Sequence, residues 1–146
     1  MWSVDLILRA ILSALIILGG IQDWKCGEAA NWITIPLLVA GLIACLFKLL
    51  NDPETGLTFS MLIILLTILA WHGWMGGADW KVLVGLFGLW PAAGFAAILT
   101  AGLWGLVEIV RKRDRNARFP GITAYALASG LTFLIELFTM SPINKV

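Results

Sequence analysis

The chain has 146 residues, of which 60% are apolar and 13% charged, and its mean hydropathy of +0.94 lies well outside the range of soluble globular proteins. Such a composition describes an integral membrane protein with room for several spans of roughly 20 residues and none for a separate soluble domain. The net charge of +1 argues against nucleic acid as a partner, and two cysteines without a CxxC pair, beside a single histidine, argue against structural metal; no cofactor is expected.

The first span is read from Val4 to Ile21. Asp5 and Arg9 inside it form an i, i+4 pair, and no small-residue cleavage site follows, so it is a retained span rather than a signal. A polar loop from Gln22 to Asn31 then places Asp23 just past the hydrocarbon edge. The second span covers Trp32 to Leu50, and Asn51-Asp52-Pro53-Glu54-Thr55-Gly56 has turn chemistry. The third covers Leu57 to Met75 and runs into Gly76-Gly77-Ala78-Asp79, so both aspartates emerge on one side, two crossings apart.

The apolar stretch from Val82 to Val110 would be about 43 Å long as one helix, against a hydrocarbon core of roughly 30 Å. It is therefore split into a short element, Val82 to Trp90, a turn at Pro91 and a span from Ala92 to Val110. The short element needs a thinned bilayer or shielding by neighbouring helices. The basic run Arg111 to Arg118 marks the cytoplasmic side, shared by Lys25 and Lys81. A last span, Ile122 to Met140, leaves both termini outside. The expectation is an all-α, polytopic helical bundle of about six membrane segments, a single domain over residues 1–146. Glycines along the spans allow close helix packing, and most of the eight tryptophans are read as interfacial anchors, with Trp104 deeper.

Asp-Trp-Lys occurs twice, at Asp23-Trp24-Lys25 and Asp79-Trp80-Lys81, each copy after a long apolar run. Ionised groups at the mouths of spans are costly and commonly functional. Two carboxylates across a cleft can share one proton, one acting as base on a water and the other as acid toward a carbonyl. The plain alternative is that each caps a helix or pairs with the lysine two residues on. His72 reads as an interfacial residue, Glu108 and Glu136 as paired span-end charges, and Cys26 as a thiol without an activating base.

Gly76-Gly77-Ala78-Asp79-Trp80-Lys81 resembles the GxGD signature of membrane aspartyl proteases, in the form found in type IV prepilin and preflagellin peptidases, with Ala78 in place of the usual glycine. Asp23, Lys25, Asn31 and Thr34 follow the order of that family's first catalytic motif, with Ala29-Ala30 where Ile-Pro is usual. Arg118-Phe119-Pro120-Gly121 looks like its entry to the final helix. The resemblance implies Asp23 and Asp79 as catalytic dyad, Gly76, Gly77 and Ala78 as a close-approach segment, and Lys25, Lys81 and Asn31 as supporting residues. It implies cleavage of a short basic leader from a pilin-like or archaellin-like precursor at the cytoplasmic face of the cell membrane, by a multi-pass protein; the residues leave a homo-oligomer open. No insert is long enough for an N-methyltransferase site. The rival readings are a small transporter binding ions at the two acids, or a non-catalytic assembly subunit.

Overall fold

The computed structural model describes residues 4–27, 29–113 and 120–139. These form six helices: α1 Val4–Cys26, α2 Asn31–Asn51, α3 Pro53–Trp71, α4 Gly77–Leu89, α5 Pro91–Lys112 and α6 Gly121–Thr139. All but α4 are long and apolar enough to cross a membrane. Their outward faces carry large exposed apolar residues such as Leu18, Phe47, Met61, Leu103 and Leu131, as contact with lipid requires. The expected number and kind of segments is therefore what folds.

Several boundaries differ for identifiable reasons. Helix α1 continues through Gln22 and Asp23 to Cys26, and stops where Gly27 takes a positive φ of 71°, so Asp23 lies in the last helical turns and not in a loop. Helix α3 starts four residues earlier than expected, with Asp52 capping Thr55 N–H at 3.4 Å and Pro53 in the first turn. It ends at Trp71, because Gly73 turns the chain at φ 75°. Helix α4 begins at Gly77, which puts Asp79 inside its first turn.

With 13 residues, α4 is about 20 Å long and cannot match the bilayer by itself. It is shielded by its neighbours: Val82, Leu83, Val84, Gly85, Leu86, Phe87 and Gly88 are all buried. Glycine makes that possible on the α2 side, where a Cβ on Gly41 would lie 2.6 Å from Gly85 Cα and one on Gly88 would strike Gly41 backbone. Trp80 Nε1 donates to Thr67 on α3 at 3.0 Å, and Lys48 on α2 donates to the Gly88 carbonyl at 2.7 Å, satisfying part of the helix's C-terminal end.

Two groups of three helices emerge. Helices α2, α3 and α4 pack on one another, and α6 packs between α1 and α5. Helices α1 and α4 scarcely touch directly, and α4 meets α6 only lightly, although one apolar core runs through both groups by way of Ile16, Leu37, Leu83, Phe87, Ala97 and Ile122. The Pro91 turn is the covalent link between the groups that lies nearest the core.

Candidate active site

The end of α1 is fixed to the start of α6 by close backbone approach. A Cβ on Gly20 would lie 2.7 Å from Ala126 Cβ, and Thr123 Oγ1 donates to the Gly20 carbonyl at 2.9 Å. One turn further along α1, Asp23 is 8% exposed, and its Oδ2 accepts the Ile122 N–H at 3.1 Å. The first N–H groups of a helix have no partner within the helix, and Asp23 supplies one from another helix. The plain reading of Asp23 as a cap is thus partly met, but the helix it caps is 99 residues away in sequence.

Asp79 approaches the same turn of α6 from α4. A Cβ on Gly121 would lie 2.5 Å from Asp79 Oδ1, and one on Gly76 would lie 2.7 Å from Oδ2, so the carboxyl rests against two bare backbone segments. Burial pushes its pKa up from 3.8 to about 6, the nearby Asp23 carboxylate adds to that, and a hydrogen bond from the Gly76 backbone opposes both. The two acids interact electrostatically and both act on Tyr125, buried one turn along α6 from Gly121.

The other expected site residues fall around this point. Gly76 precedes α4 with extended backbone, and Gly77 has open space where a side chain would go, while Ala78 packs partly against the core. Lys81 does not pair with Asp79; its Nζ donates to Asn31 Oδ1 at 2.8 Å, tying the starts of α4 and α2. Lys25 is exposed at the rim of an apolar groove of about 630 Å³ between α1 and α6, which neither carboxylate lines. Thr34 is fully buried. His72 sits exposed in the turn after α3, its ring 6.3 Å from that of Trp74, as an interfacial residue would. Cys26 is exposed and Cys45 buried, and no group of three metal-ligating side chains occurs among the described residues.

The remaining charges are paired as expected in part. Asp5 and Arg9 meet at 3.1 Å, and Glu108 meets Lys112 at 3.1 Å and Arg111 at 3.6 Å. Glu136 finds its partner across the chain in Arg9, at 2.7 Å. Trp90 departs from its expected role: it is 2% exposed, with its indole N–H on Glu136 Oε1 at 3.0 Å, and does not anchor at an interface. Arg118 and Phe119, half of the expected entry to the last helix, lie outside the described residues.

Sequence reasoning missed Gly121, Ile122 and Tyr125 as members of the site. A glycine opening an apolar helix straight after proline was the available signal, but nothing local says which carboxylate approaches it.

A model of the type IV leader peptidase family matches residues 10–110. The match takes in both aspartates and ends before α6, whose part in the site is seen from geometry alone. No curated protein and no solved structure matches the chain.

Proposed function

The chain belongs to the type IV leader peptidase family, and from that premise we propose that it is an aspartyl endopeptidase that removes the short basic leader of pilin-like or archaellin-like precursors at the cytoplasmic face of the cell membrane. The observation that carries the reading is the convergence of Asp23 and Asp79, 56 positions apart (79 − 23), on the first turn of α6.

Asp79, with its pKa raised to about 6, keeps a proton further into the neutral range than an ordinary carboxylic acid. It is the member suited to protonate the scissile carbonyl oxygen, while ionised Asp23 takes a proton from the attacking water. The protonation steps belong to the pair and not to either residue alone. Collapse of the tetrahedral intermediate then passes a proton to the leaving amine and restores the starting state. The exposed edge at Gly76 and Gly77 gives an extended substrate backbone a place beside Asp79, while Lys81, two residues on, is held by Asn31 and Lys25 stands two residues after Asp23 at the exposed end of α1. Each isosteric amide removes one acid without removing bulk.

The test is mass spectrometry of a co-expressed precursor. Asp23→Asn and Asp79→Asn should each leave the precursor at full length while the protein stays folded in the membrane. Continued removal of the leader by either variant defeats the proposal.

A further inference from the structure

Asp23 belongs to the α1–α5–α6 group and Asp79 to the α2–α3–α4 group, so their approach depends on how the two groups are held together. At the acid end the contact is light: Asp79 rests against Gly121, and the helices carrying the acids barely meet. At the far end stands a second polar cluster that the proposed chemistry does not use. Arg9 Nη1 pairs with Glu136 Oε2 at 2.7 Å, Trp90 Nε1 donates to Glu136 Oε1 at 3.0 Å, and the Arg9 guanidinium lies over the Trp90 ring, 5.8 Å from its centre. The pair is only 26% and 20% exposed, and charges at that depth in a membrane protein need a reason.

The division of labour inside the cluster supplies one. Arg9 on α1 and Glu136 on α6 lie within a single helix group, so their ion pair does not join the two groups. Trp90 does: it ends α4 and caps the start of α5, so its contacts with Glu136 and Arg9 pin the junction of the two groups to α6 and α1. Eleven residues of helix, about 16 Å of stiff rod, separate Trp90 from Asp79. A slip or tilt of α4 at the Trp90 end is therefore carried to the carboxyl with little loss.

We propose that Trp90, received by Glu136 and Arg9, is a positioning residue that docks the two helix groups at the face opposite the acids and thereby sets the approach of Asp79 to Asp23. The inference rests on the peptidase reading for its effect on cleavage, but not for its effect on structure.

Two variants separate the parts of the cluster. Trp90→Phe keeps an aromatic ring and the Arg9–Glu136 pair but removes the donor that pins the α4–α5 junction to α6. Glu136→Gln breaks the ion pair but keeps a carbonyl to accept from Trp90. Spin labels on the exposed native Cys26, at the end of α1, and on Trp74→Cys, in the exposed turn before α4, report the separation of the groups at the acid end by pulsed electron resonance. Trp90→Phe should broaden or shift that distance distribution, and should slow leader removal by up to about 100-fold through kcat with KM little changed. Glu136→Gln should keep the distribution and most of the rate. An unchanged distribution in Trp90→Phe, with any loss of cleavage tracking only the folded fraction, overturns the proposal. A shifted distribution in a protein whose parent cleaves no precursor would sink the peptidase reading and leave the docking role standing.

Discussion

At the residue scale, the acids differ in what holds them. Asp23 is held by an N–H group at the start of a helix, whereas Asp79 is pressed among apolar surface and bare backbone. The pKa of Asp79 in the folded protein, about 6, lies above its ordinary value of 3.8, so between those values the native state binds more protons than the unfolded chain. Its contribution to stability is therefore greatest below pH 3.8, is lost as pH rises toward 6, and changes little beyond. The cost of the ionised form is on the order of 1–2 kcal/mol after discounting for partial exposure. Asp79→Asn should accordingly melt a few degrees higher than the parent at pH 8 and no higher at pH 4, while being inactive at both. In the parent, leader removal should fall with rising pH above about 6, approaching about tenfold per unit, if protonated Asp79 is the acid; a rate that climbs from pH 6 to 8 would reverse the roles assigned here.

Gly121 gives a sharper steric test. A methyl there meets Asp79 Oδ1 at 2.5 Å and Cγ at 3.0 Å, so the carboxyl must move. Gly121→Ala should reduce cleavage at least about tenfold, because displacement of a reacting group by a fraction of an ångström is costly. Gly102→Ala, on α5 with nothing within 4 Å of the new methyl, should process precursor at the parental rate in the same assay.

At the scale of elements, the long helices were legible because hydropathy marks anything that must face lipid. Their ends were less legible, because capping and left-handed glycines decide them: Gly27 and Gly73 close α1 and α3, and only the structure shows which glycines adopt positive φ. The short α4 was found from its length and from Pro91, yet the burial of Val82 to Gly88 follows from tertiary packing alone. Close crossings set the register of these elements. Gly20→Leu would drive a side chain into Ala126 and the backbone of α6, and Gly41→Leu would push α2 from α4. Each should destabilise by about 1–3 kcal/mol or more. They differ in consequence: the Gly20 change disturbs Asp23 directly, whereas the Gly41 change reaches Asp79 through α4. Thermal melts in detergent, with cleavage normalised to folded protein, would separate loss of fold from loss of alignment.

At the scale of the whole molecule, the sequence carried the two acids but not what brings them together. The repeated Asp-Trp-Lys triplet singled out Asp23 and Asp79, while the turn they share begins at Gly121, 42 positions after Asp79 (121 − 79). Long-range partners of this kind leave no periodicity, and the same holds for Arg9, Trp90 and Glu136, which span most of the chain. The lysines two residues after each acid suggested local pairs; Lys81 instead reaches Asn31 on α2. What composition determined was the kind of solvent each surface meets, and what topology added was which buried groups face each other.

The enclosure of α4 bears on how the chain is made as well as on how it works. A helix this short, whose middle turns are enclosed by protein, has no stable resting place in a bilayer until its neighbours have arrived. During synthesis α2 and α3 emerge first, so α4 can settle against them, but its remaining side is closed only when α5 lays Gly94 and Phe95 against Phe87. Truncation after α4 should therefore leave a cysteine placed at Phe87, a position fully buried in the intact protein, open to thiol reagents, and should expose the nascent chain to quality-control proteolysis.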